Sequence, residues 1–189
     1  MAIAQGRLVV LLAPSGAGKT TIARDIMRRN PSLRFSVSAT TRARRHGEVD
    51  GKDYHFLTLP AFRARVDAGA FVEWEEVFGN YYGTLREEVD RAIAEGRNLL
   101  FDVDVNGGLS IKSSYPDALL IFISPPSMEV LEQRLRNRGT EDEETIMRRL
   151  LRVSMEMEKG ATFDVRVVND DLTRVTDEIH ALVERHLSL

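Results

Sequence analysis

The sequence predicts an α/β protein in which helices cover both faces of a parallel sheet, and two observations support this prediction. First, four short runs of apolar residues are continuous rather than alternating, which is typical of strands buried on both faces. These runs lie at 8–12, 98–103, 119–123 and 165–168. Second, a segment with helical periodicity separates each run from the next, and this alternation is the pattern of βαβ units.

The helices are predicted from their apolar faces and from their ends. The first helix, over 20–29, has an apolar face that consists of Ile22, Ala23, Ile26 and Met27. An Asn-Pro pair directly after it ends the helix, because proline cannot continue one. Ser127 is placed to cap a helix that ends near Asn137, and Asp171 is placed to cap the last helix. The apolar face of that last helix consists of Val175, Ile179, Leu182 and Val183.

Residues 36–84 break this alternation. Short alternating runs such as FVEWEEV lie there beside the glycine-rich turns HGEVDG and FGNYYG. We therefore expect a small mixed or antiparallel sheet that is inserted into the α/β core. A second irregular piece lies at 137–145, where Thr140 and Glu143 form a capping box that starts another helix. The sequence predicts one domain with two inserted pieces.

The composition excludes several classes of protein. A chain of 189 residues, 43% hydrophobic and 29% charged, is typical of one globular domain. Its net charge of -3 argues against general nucleic-acid binding. It contains no cysteine, and its first apolar run is too short to cross a bilayer. We expect a cytoplasmic protein that binds neither nucleic acid nor membrane.

The segment APSGAGKTT at 13–21 lies between the first predicted strand and the first predicted helix, which is the context of a phosphate-binding P-loop. Its glycines let backbone N–H groups converge on phosphate oxygens, and the helix N-terminus adds a positive dipole. Lys19 would reach the β- and γ-phosphates of a nucleoside triphosphate, and the Thr20 hydroxyl would ligate the accompanying Mg²⁺. Ala13 stands where the pattern has its first glycine. The predicted nucleotide-binding residues of the loop are Ser15, Gly16, Ala17, Gly18, Lys19, Thr20 and Thr21.

A P-loop alone indicates only a nucleoside triphosphate. It fits a motor, a GTPase switch, a transporter ATPase or a small-molecule kinase, and the short chain favours the kinase, which needs only an acceptor pocket and a lid. The alternative for the segment itself is a tight strand-to-helix turn with a solvated lysine.

Three arginines, Arg42, Arg44 and Arg45, lie within four positions of the segment SVSATTRARRHGEVDGKDYHF at 36–56. An arginine side chain bonds two phosphate oxygens at once, so the group is a candidate anion clamp. If the chain is extended there, Arg42 and Arg44 point one way and Arg45 the other, which disfavours one shared ligand. The alternative is a solvated basic turn that is balanced by nearby acids. Those acids are Glu48, Asp50 and Asp53.

Six segments together resemble the guanylate kinases. In chain order they are APSGAGKTT, the arginine-rich segment, FVEWEEVFGNYYGT, FDVDVNG, RLRNRGTEDEE and VVNDD, and the resemblance covers essentially the whole chain. It implies a three-layer P-loop nucleoside monophosphate kinase fold with a five-stranded parallel sheet. The implied divisions are a core at 1–35, 85–136 and 156–189, a GMP-binding insertion at 36–84 and a helical lid at 137–155.

The activity that the resemblance implies is transfer of the γ-phosphoryl group from ATP to GMP, giving ADP and GDP, in purine nucleotide metabolism and GMP recycling. The implied partners are ATP with Mg²⁺ and GMP, with dGMP as a further expected acceptor. The sequence leaves open whether the chain is a monomer or a homo-oligomer. Two competitors are a P-loop kinase of a phosphorylated sugar, which would not need guanine-binding residues, and a guanylate-kinase-like peptide-binding module, which would not need an intact P-loop.

The resemblance also implies the acceptor site. Arg42, Arg45, Tyr54 and Tyr82 would hold the GMP phosphate. Ser38, Glu73 and Thr84 would recognise the guanine. Guanine presents N1–H and its exocyclic amino group side by side, so one carboxylate accepts from both, whereas adenine lacks this pair of donors. Glu73 would therefore discriminate between the two bases, because a buried carboxylate without its partners is costly.

Two carboxylates, Asp102 and Asp104, end a predicted strand, where α/β sheets present ligands. A Walker-B-like aspartate near Mg²⁺ and a contact with GMP are both compatible with that position, and the resemblance favours a GMP contact from Asp102. After the last strand, Asn169 and Asp170 would contact the adenine side of ATP.

Arginines of the lid would neutralise the charge that develops during phosphoryl transfer. The lid arginines in question are Arg134, Arg138 and Arg149. The resemblance points to Arg138 and Arg149 as catalytic, together with Lys19 and Arg45, although helical spacing alone fits Arg148 equally. Arg136 and Arg152 are expected on a solvated helix face, paired with the acids at 141–144.

Overall fold

Five parallel strands form the central sheet of the protein, the number that the family resemblance implies and one more than the apolar runs predict. The computed structural model describes residues 5–14, 16–77, 79–137, 143–160, 163 and 165–189. With strands and helices numbered along the chain, the central sheet consists of β1 (Leu8–Leu12), β2 (Leu33–Phe35), β7 (Asn98–Asp102), β8 (Leu119–Ser124) and β9 (Val165–Val168). Their order is β2-β7-β1-β8-β9, and each neighbouring pair is parallel.

A second, mixed sheet is formed by residues 39–85. Its strands are β3 (Ala39–Thr40), β4 (His55–Phe56), β5 (Phe71–Val77) and β6 (Asn80–Leu85), in the order β4-β3-β6-β5. The β3–β4 pair is parallel, whereas β3–β6 and β5–β6 are antiparallel. The alternating runs and glycine-rich turns of this region therefore do form a mixed sheet.

Seven helices lie within the described ranges. They are α1 (Lys19–Arg29), α2 (Leu59–Asp67), α3 (Arg86–Ala94), α4 (Val105–Ser114), α5 (Met128–Arg136), α6 (Glu143–Gly160) and α7 (Leu172–Leu187). The predicted caps of α5 and α7 are confirmed, because Ser127 accepts from the Val130 N–H and Asp171 from the Arg174 N–H. Thr140, the predicted cap before α6, lies outside the described residues. No helix in the described part of the chain is long and apolar enough to span a membrane.

Two elements were missing from the sequence prediction. The edge strand β2 has only three residues, two of them exposed, so it shows no continuous apolar run. The helix α2 lies inside the region that was predicted as sheet. Its signal is present in the sequence, since Thr58 caps it by accepting from the Ala61 N–H and a proline stands in its first turn.

The hydrophobic core lies on both faces of the central sheet. Val9 and Leu11 of β1 pack on one face with apolar residues of α1, α5, α6 and α7. Leu8, Val10 and Leu12 pack on the other face with residues of α3 and α4. Every residue of β1 is buried, which explains its continuous apolar run. The sheet thereby fixes the position of the loop that joins β1 to α1.

Candidate active site

The P-loop turns from β1 into α1 through two glycines in the left-handed region. Gly16 has a φ of 92° and Gly18 a φ of 95°, and residues with a side chain rarely adopt such values. Gly18 is also the N-cap of α1, so the free N–H groups of the first helical turn face the loop. Ser15, a predicted ATP contact, lies outside the described residues. The local backbone thus has the form that an anion-binding loop requires.

Asn169, directly after β9, is hydrogen-bonded to the P-loop. Its side chain is buried, and Nδ2 donates to the carbonyl oxygen of Ala17 at 2.6 Å. A Cβ on Gly18 would lie 2.6 Å from the same Nδ2. The Asn169 carbonyl in turn accepts from Arg134 Nη2 at 3.1 Å. The sequence predicted a nucleotide contact at Asn169, and the structure adds a connection between this residue and the loop.

Asp170, the neighbouring predicted contact, is exposed and paired with Arg174 at 2.6 Å. The hydrogen bond from Arg174 holds the pKa of the Asp170 carboxyl below its usual value, with further help from the Asp171 N–H. Asp170 is therefore ionised at neutral pH and already has a partner on α7.

Lys19 Nζ lies 2.6 Å from Asp102 Oδ1 and donates to the carbonyl oxygen of Val103 at 2.7 Å. The side chains of Lys19 and Asp102 are 20% and 28% exposed, so water reaches both partners. The P-loop lysine thus contacts the end of β7, the strand next to β1. The structure brings a predicted ATP-binding residue and a predicted GMP-binding residue into direct contact.

A cavity of about 570 Å³ lies between the P-loop and α6. The P-loop side contributes Gly16, Gly18, Lys19, Thr20 and Thr21. The α6 side contributes Arg148, Arg149 and Arg152, and three acids complete the wall: Glu75, Asp104 and Glu156. Arg148 and Arg149 both line the cavity. Arg138 lies outside the described residues.

The expectation for Arg152 was wrong, whereas the one for Arg136 is confirmed. Arg136 pairs with Glu132 and Glu143 on the surface. Arg152 contacts Asp104, Glu75 and Glu156 in the cavity instead of the acids at 141–144. Glu156 lies one helical turn away on α6, but Asp104 and Glu75 lie far away in the sequence, so helical spacing could not reveal those two contacts.

A second cavity, of about 210 Å³, lies between the mixed sheet and the end of β7. Its lining includes four predicted GMP-binding residues: Ser38, Tyr54, Thr84 and Asp102. Asp102 therefore stands between this cavity and Lys19, which lines the larger one. The two cavities adjoin at the carboxyl end of the central sheet, where parallel α/β sheets bind ligands.

Glu73 and Thr84 face each other on β5 and β6. The Thr84 hydroxyl donates to Glu73 Oε1 at 2.6 Å, and Glu73 Oε2 lies 3.2 Å from the position that a Cβ on Gly107 would occupy. Burial raises the pKa of Glu73 to about 7; the Thr84 hydrogen bond opposes this shift, and the charges of Asp104 and Glu75 add to it. Glu73 is thus a partly buried carboxyl group whose pKa lies near neutral pH.

Arg42 lies beside the aromatic residues of the predicted phosphate clamp. Its guanidinium lies 5.2 Å from the centroid of the Tyr54 ring, and the Tyr54 and Tyr82 rings meet edge to face at 6.2 Å. The structure therefore brings three of the four predicted phosphate ligands together. Arg45, the fourth, is exposed, and its backbone N–H donates to Glu48 Oε2 at 2.7 Å.

Glu48 is a partner of Arg42, and the view of it as one acid of a solvated turn was wrong. Its carboxylate binds both terminal nitrogens of Arg42, at 2.6 and 3.1 Å, and the two side chains are only 19% and 14% exposed. The hydrogen bond from Arg42 lowers the pKa of Glu48. Asp50 and Asp53 accept from the N–H groups of Phe56 and Val49, as turn residues do.

The donor set suits a magnesium ion that arrives with its nucleotide. Among the described residues, no group of three or more His, Cys, Asp or Glu side chains is arranged to hold a metal. Mg²⁺ commonly takes one or two protein ligands and fills its shell with phosphate oxygens and water. The exposed Thr20 hydroxyl, at the start of α1 and on the cavity wall, fits this single-ligand role.

A parallel sheet with a P-loop, an inserted mixed sheet and a cleft between them define a P-loop protein of the nucleoside monophosphate kinase class. The family model described as guanylate kinase matches residues 5–186. The chain belongs to the guanylate kinase family.

Individual relatives agree with this assignment. The guanylate kinase of Nitratidesulfovibrio vulgaris is 50% identical over 184 residues, which cover 97% of this chain and 89% of the relative. The guanylate kinase of Salinibacter ruber is 50% identical over 183 residues, covering 96% of this chain and 97% of the relative. A crystal structure of guanylate kinase from Anaplasma phagocytophilum superposes with a TM-score of 0.72 at 30% identity, and the match covers 97% of this chain and 87% of that one.

Proposed function

We propose that the protein is a guanylate kinase that transfers the γ-phosphoryl group of ATP to GMP and releases ADP and GDP. The observation that carries this proposal is the position of Glu73: a partly buried carboxyl beside a hydroxyl donor, on the inserted mixed sheet. This arrangement suits the paired donors of guanine and leaves adenine without a counterpart.

On the donor side, the ATP phosphates would lie along the P-loop, in the larger cavity. The backbone N–H groups from Gly16 to Thr21 would hold the phosphate oxygens, and Lys19 would reach the β- and γ-phosphates. The Thr20 hydroxyl would hold Mg²⁺, which would supply positive charge to neutralise the phosphates. Asn169 and Asp170 would lie toward the adenine.

On the acceptor side, two groups of residues would divide the recognition of GMP. Arg42, Arg45, Tyr54 and Tyr82 would hold its phosphate, which fits the cluster of Arg42 with the two tyrosines. Ser38, Glu73 and Thr84 would hold the guanine, and Asp102 would contact the ribose or the base. Recognition of the phosphate selects a monophosphate, and recognition of the base selects guanine.

Positioning and electrostatics would carry the transfer step. Lys19 of the larger cavity contacts Asp102 of the smaller one, so an acceptor phosphate and the γ-phosphate would meet between the two cavities. Arg138 and Arg149 of the proposed lid, at 137–155, would neutralise charge on the transferred group. Closure of the lid over the insertion at 36–84 would exclude water and so suppress hydrolysis of ATP. The core at 1–35, 85–136 and 156–189 would remain fixed.

A peptide-binding module is the competing proposal from another class. Such a module has no need of the left-handed glycines, the lysine and the hydroxyl that this P-loop retains. A kinase of a phosphorylated sugar has no need of the pair formed by Glu73 and Thr84. Both features are present in this chain, and together they favour the guanylate kinase.

A coupled assay of ADP formation tests the proposal. We expect turnover with GMP and with dGMP, and none above background with AMP, CMP or UMP. Lys19→Ala should abolish turnover, because the γ-phosphoryl group loses its cation, whereas Arg91→Ala, which removes an exposed arginine of α3, should leave it unchanged. Comparable rates with AMP would refute the role of Glu73, and turnover in Lys19→Ala would refute the role of the P-loop.

A further inference from the structure

Arg152 contacts three carboxylates that belong to three different parts of the fold. Its Nη2 lies 3.1 Å from Asp104 Oδ2 and 3.6 Å from Glu75 Oε2, and its Nε donates to Glu156 Oε1 at 2.9 Å. Glu156 lies on α6 itself, Asp104 is the N-cap of α4 in the core, and Glu75 lies on β5 of the mixed sheet. One side chain therefore connects α6 with both sides of the cleft.

The charges around Arg152 favour this arrangement. Burial raises the pKa values of Glu75 and Glu156, Asp104 adds to both shifts by repulsion, and Arg152 opposes both. Without the arginine, three acids would face one another on the wall of a cavity that is proposed to receive a triphosphate. Arg152 thus lowers the energetic cost of bringing α6, the core and the mixed sheet together.

Apolar packing anchors only part of α6. Its buried residues are Ile146, Val153 and Gly160, and the partly buried Leu150 and Met157 also pack against the core. The apolar side chains of Met147, Leu151 and Met155 recur every four residues and are 51%, 67% and 59% exposed. Because these three apolar side chains do not pack in the core, the position of α6 depends on its polar contacts as well as on its apolar ones.

We propose that Arg152 is a positioning residue for phosphoryl transfer, which ties α6 to Glu75 and Asp104 and so places Arg148 and Arg149 over the P-loop. This inference rests on the proposed function, because it concerns the cavity in which ATP would bind. Arg152 acts through the helix that carries the other arginines and does not itself contact the transferred phosphate.

Kinetics of Glu75→Gln separate this role from direct binding of phosphate. If Arg152 positions α6, Arg152→Ala and Glu75→Gln should each lower kcat, by about tenfold and threefold, and the double variant should be no slower than Arg152→Ala alone. Arg91→Ala should leave kcat unchanged. If Arg152 instead contacts phosphate, Glu75→Gln frees it and removes a repelling charge, so an unchanged or raised kcat in Glu75→Gln overturns the proposal.

A distance measurement without substrate tests, independently of activity, whether Arg152 holds α6 against the mixed sheet. The chain has no cysteine, so Arg63→Cys on α2 and Ser154→Cys on α6, both exposed, allow two spin labels to be attached specifically. We expect the distance distribution between the labels to become longer and broader when Arg152→Ala is added. An unchanged distribution overturns the proposal. If the wild type fails to phosphorylate GMP, the proposed function fails, and the distance test still decides the role of Arg152.

Discussion

The ammonium group of Lys19 lies 2.6 Å from a carboxylate oxygen of Asp102, so the P-loop and the acceptor cavity share one ion pair. Each partner has a proposed role that requires it elsewhere: Lys19 at the phosphates of ATP, and Asp102 at GMP. Because Lys19 must leave Asp102 to reach a γ-phosphate, occupation of one site changes the charge that the other site presents.

We predict that the two substrates bind with positive coupling through this pair. A non-hydrolysable ATP analogue should draw Lys19 away and leave Asp102 free for GMP, so GMP affinity should rise about twofold to fivefold, the range expected for a partly exposed ion pair. Calorimetric titration of GMP with and without the analogue measures this effect. In Asp102→Asn the enhancement should disappear, and an equal enhancement in that variant would contradict the prediction.

The raised pKa of Glu73 leads to a prediction of how GMP binding depends on pH. Only the ionised carboxylate can accept from both guanine donors, and its pKa is about 7 in the free protein. The apparent Kd for GMP should therefore increase about tenfold as the pH falls from 8 to 6, because the competent fraction falls by that factor. Calorimetry in buffers of different ionisation enthalpy should show proton release on binding near pH 7. The phosphate of GMP also titrates near this range, and the residual pH dependence in Glu73→Gln measures its share.

The raised pKa of the Glu73 carboxyl also leads to a prediction of how the stability of the fold depends on pH. Its pKa is about 7 in the folded protein against 4.5 as the reference for the unfolded chain. Between these values the folded state holds a proton that the unfolded state has lost, so this group makes the free energy of unfolding fall as the pH rises from about 4.5 to 7.

Glu73→Gln should remove this decrease in the free energy of unfolding, since glutamine is neutral and can still accept a hydrogen bond from Thr84. We expect the variant to be more stable than the wild type by roughly 1–3 kcal/mol at pH 8 and about equally stable at pH 4. Urea unfolding at the two pH values measures this difference. A Glu73→Gln variant that is less stable than the wild type at pH 8 would show that the charged form is favoured in the fold.

Burial decides which strands the sequence could predict. The strand β1 is buried on both faces and therefore appears as an uninterrupted apolar run, whereas β2 has one buried residue in three and left no such signal. The helix α2 was missed because the alternating strands around it dominated the prediction, although Thr58 marks its start.

Sequence distance explains which parts of the candidate site could be predicted. The P-loop could be predicted because its glycines, lysine and hydroxyl lie close together in the sequence. Its proposed phosphate contacts also come largely from the backbone of that one segment. The contacts of Arg152 with Asp104 and Glu75 join separate elements, and no spacing rule connects them. Glu48 was underestimated for a related reason: a charged run usually indicates a solvated face, and only the fold shows that this carboxylate and Arg42 are largely buried.

Glu48 should be needed for GMP binding although we do not expect it to contact the ligand. Its two hydrogen bonds hold the guanidinium of Arg42 beside Tyr54 and Tyr82. We predict that Glu48→Ala raises the KM for GMP about fivefold with little change in kcat, because Arg42 loses its orientation. Steady-state kinetics with varied GMP measure this effect. Arg44→Ala, an exposed residue of the same segment, is the matched control and should behave as the wild type; a lower KM in Glu48→Ala would show that Glu48 competes with the phosphate instead.

Asn169 should support both the stability of the protein and the shape of the P-loop. Its buried Nδ2 donates to the Ala17 carbonyl at 2.6 Å, next to Gly18. Asn169→Ala leaves that carbonyl without its partner, so we expect a loss of about 1–3 kcal/mol in the free energy of unfolding.

Asn169→Asp should be worse than Asn169→Ala, because a carboxylate of the same shape cannot donate and would face the Ala17 oxygen. Both variants should bind ADP more weakly than the wild type, because the loop that is proposed to bind the phosphates has lost the hydrogen bond that fixes its backbone. Urea unfolding and ADP calorimetry on the three proteins provide the comparison. If Asn169→Ala unfolds at the same urea concentration as the wild type and binds ADP equally well, Asn169 has no role in holding the loop.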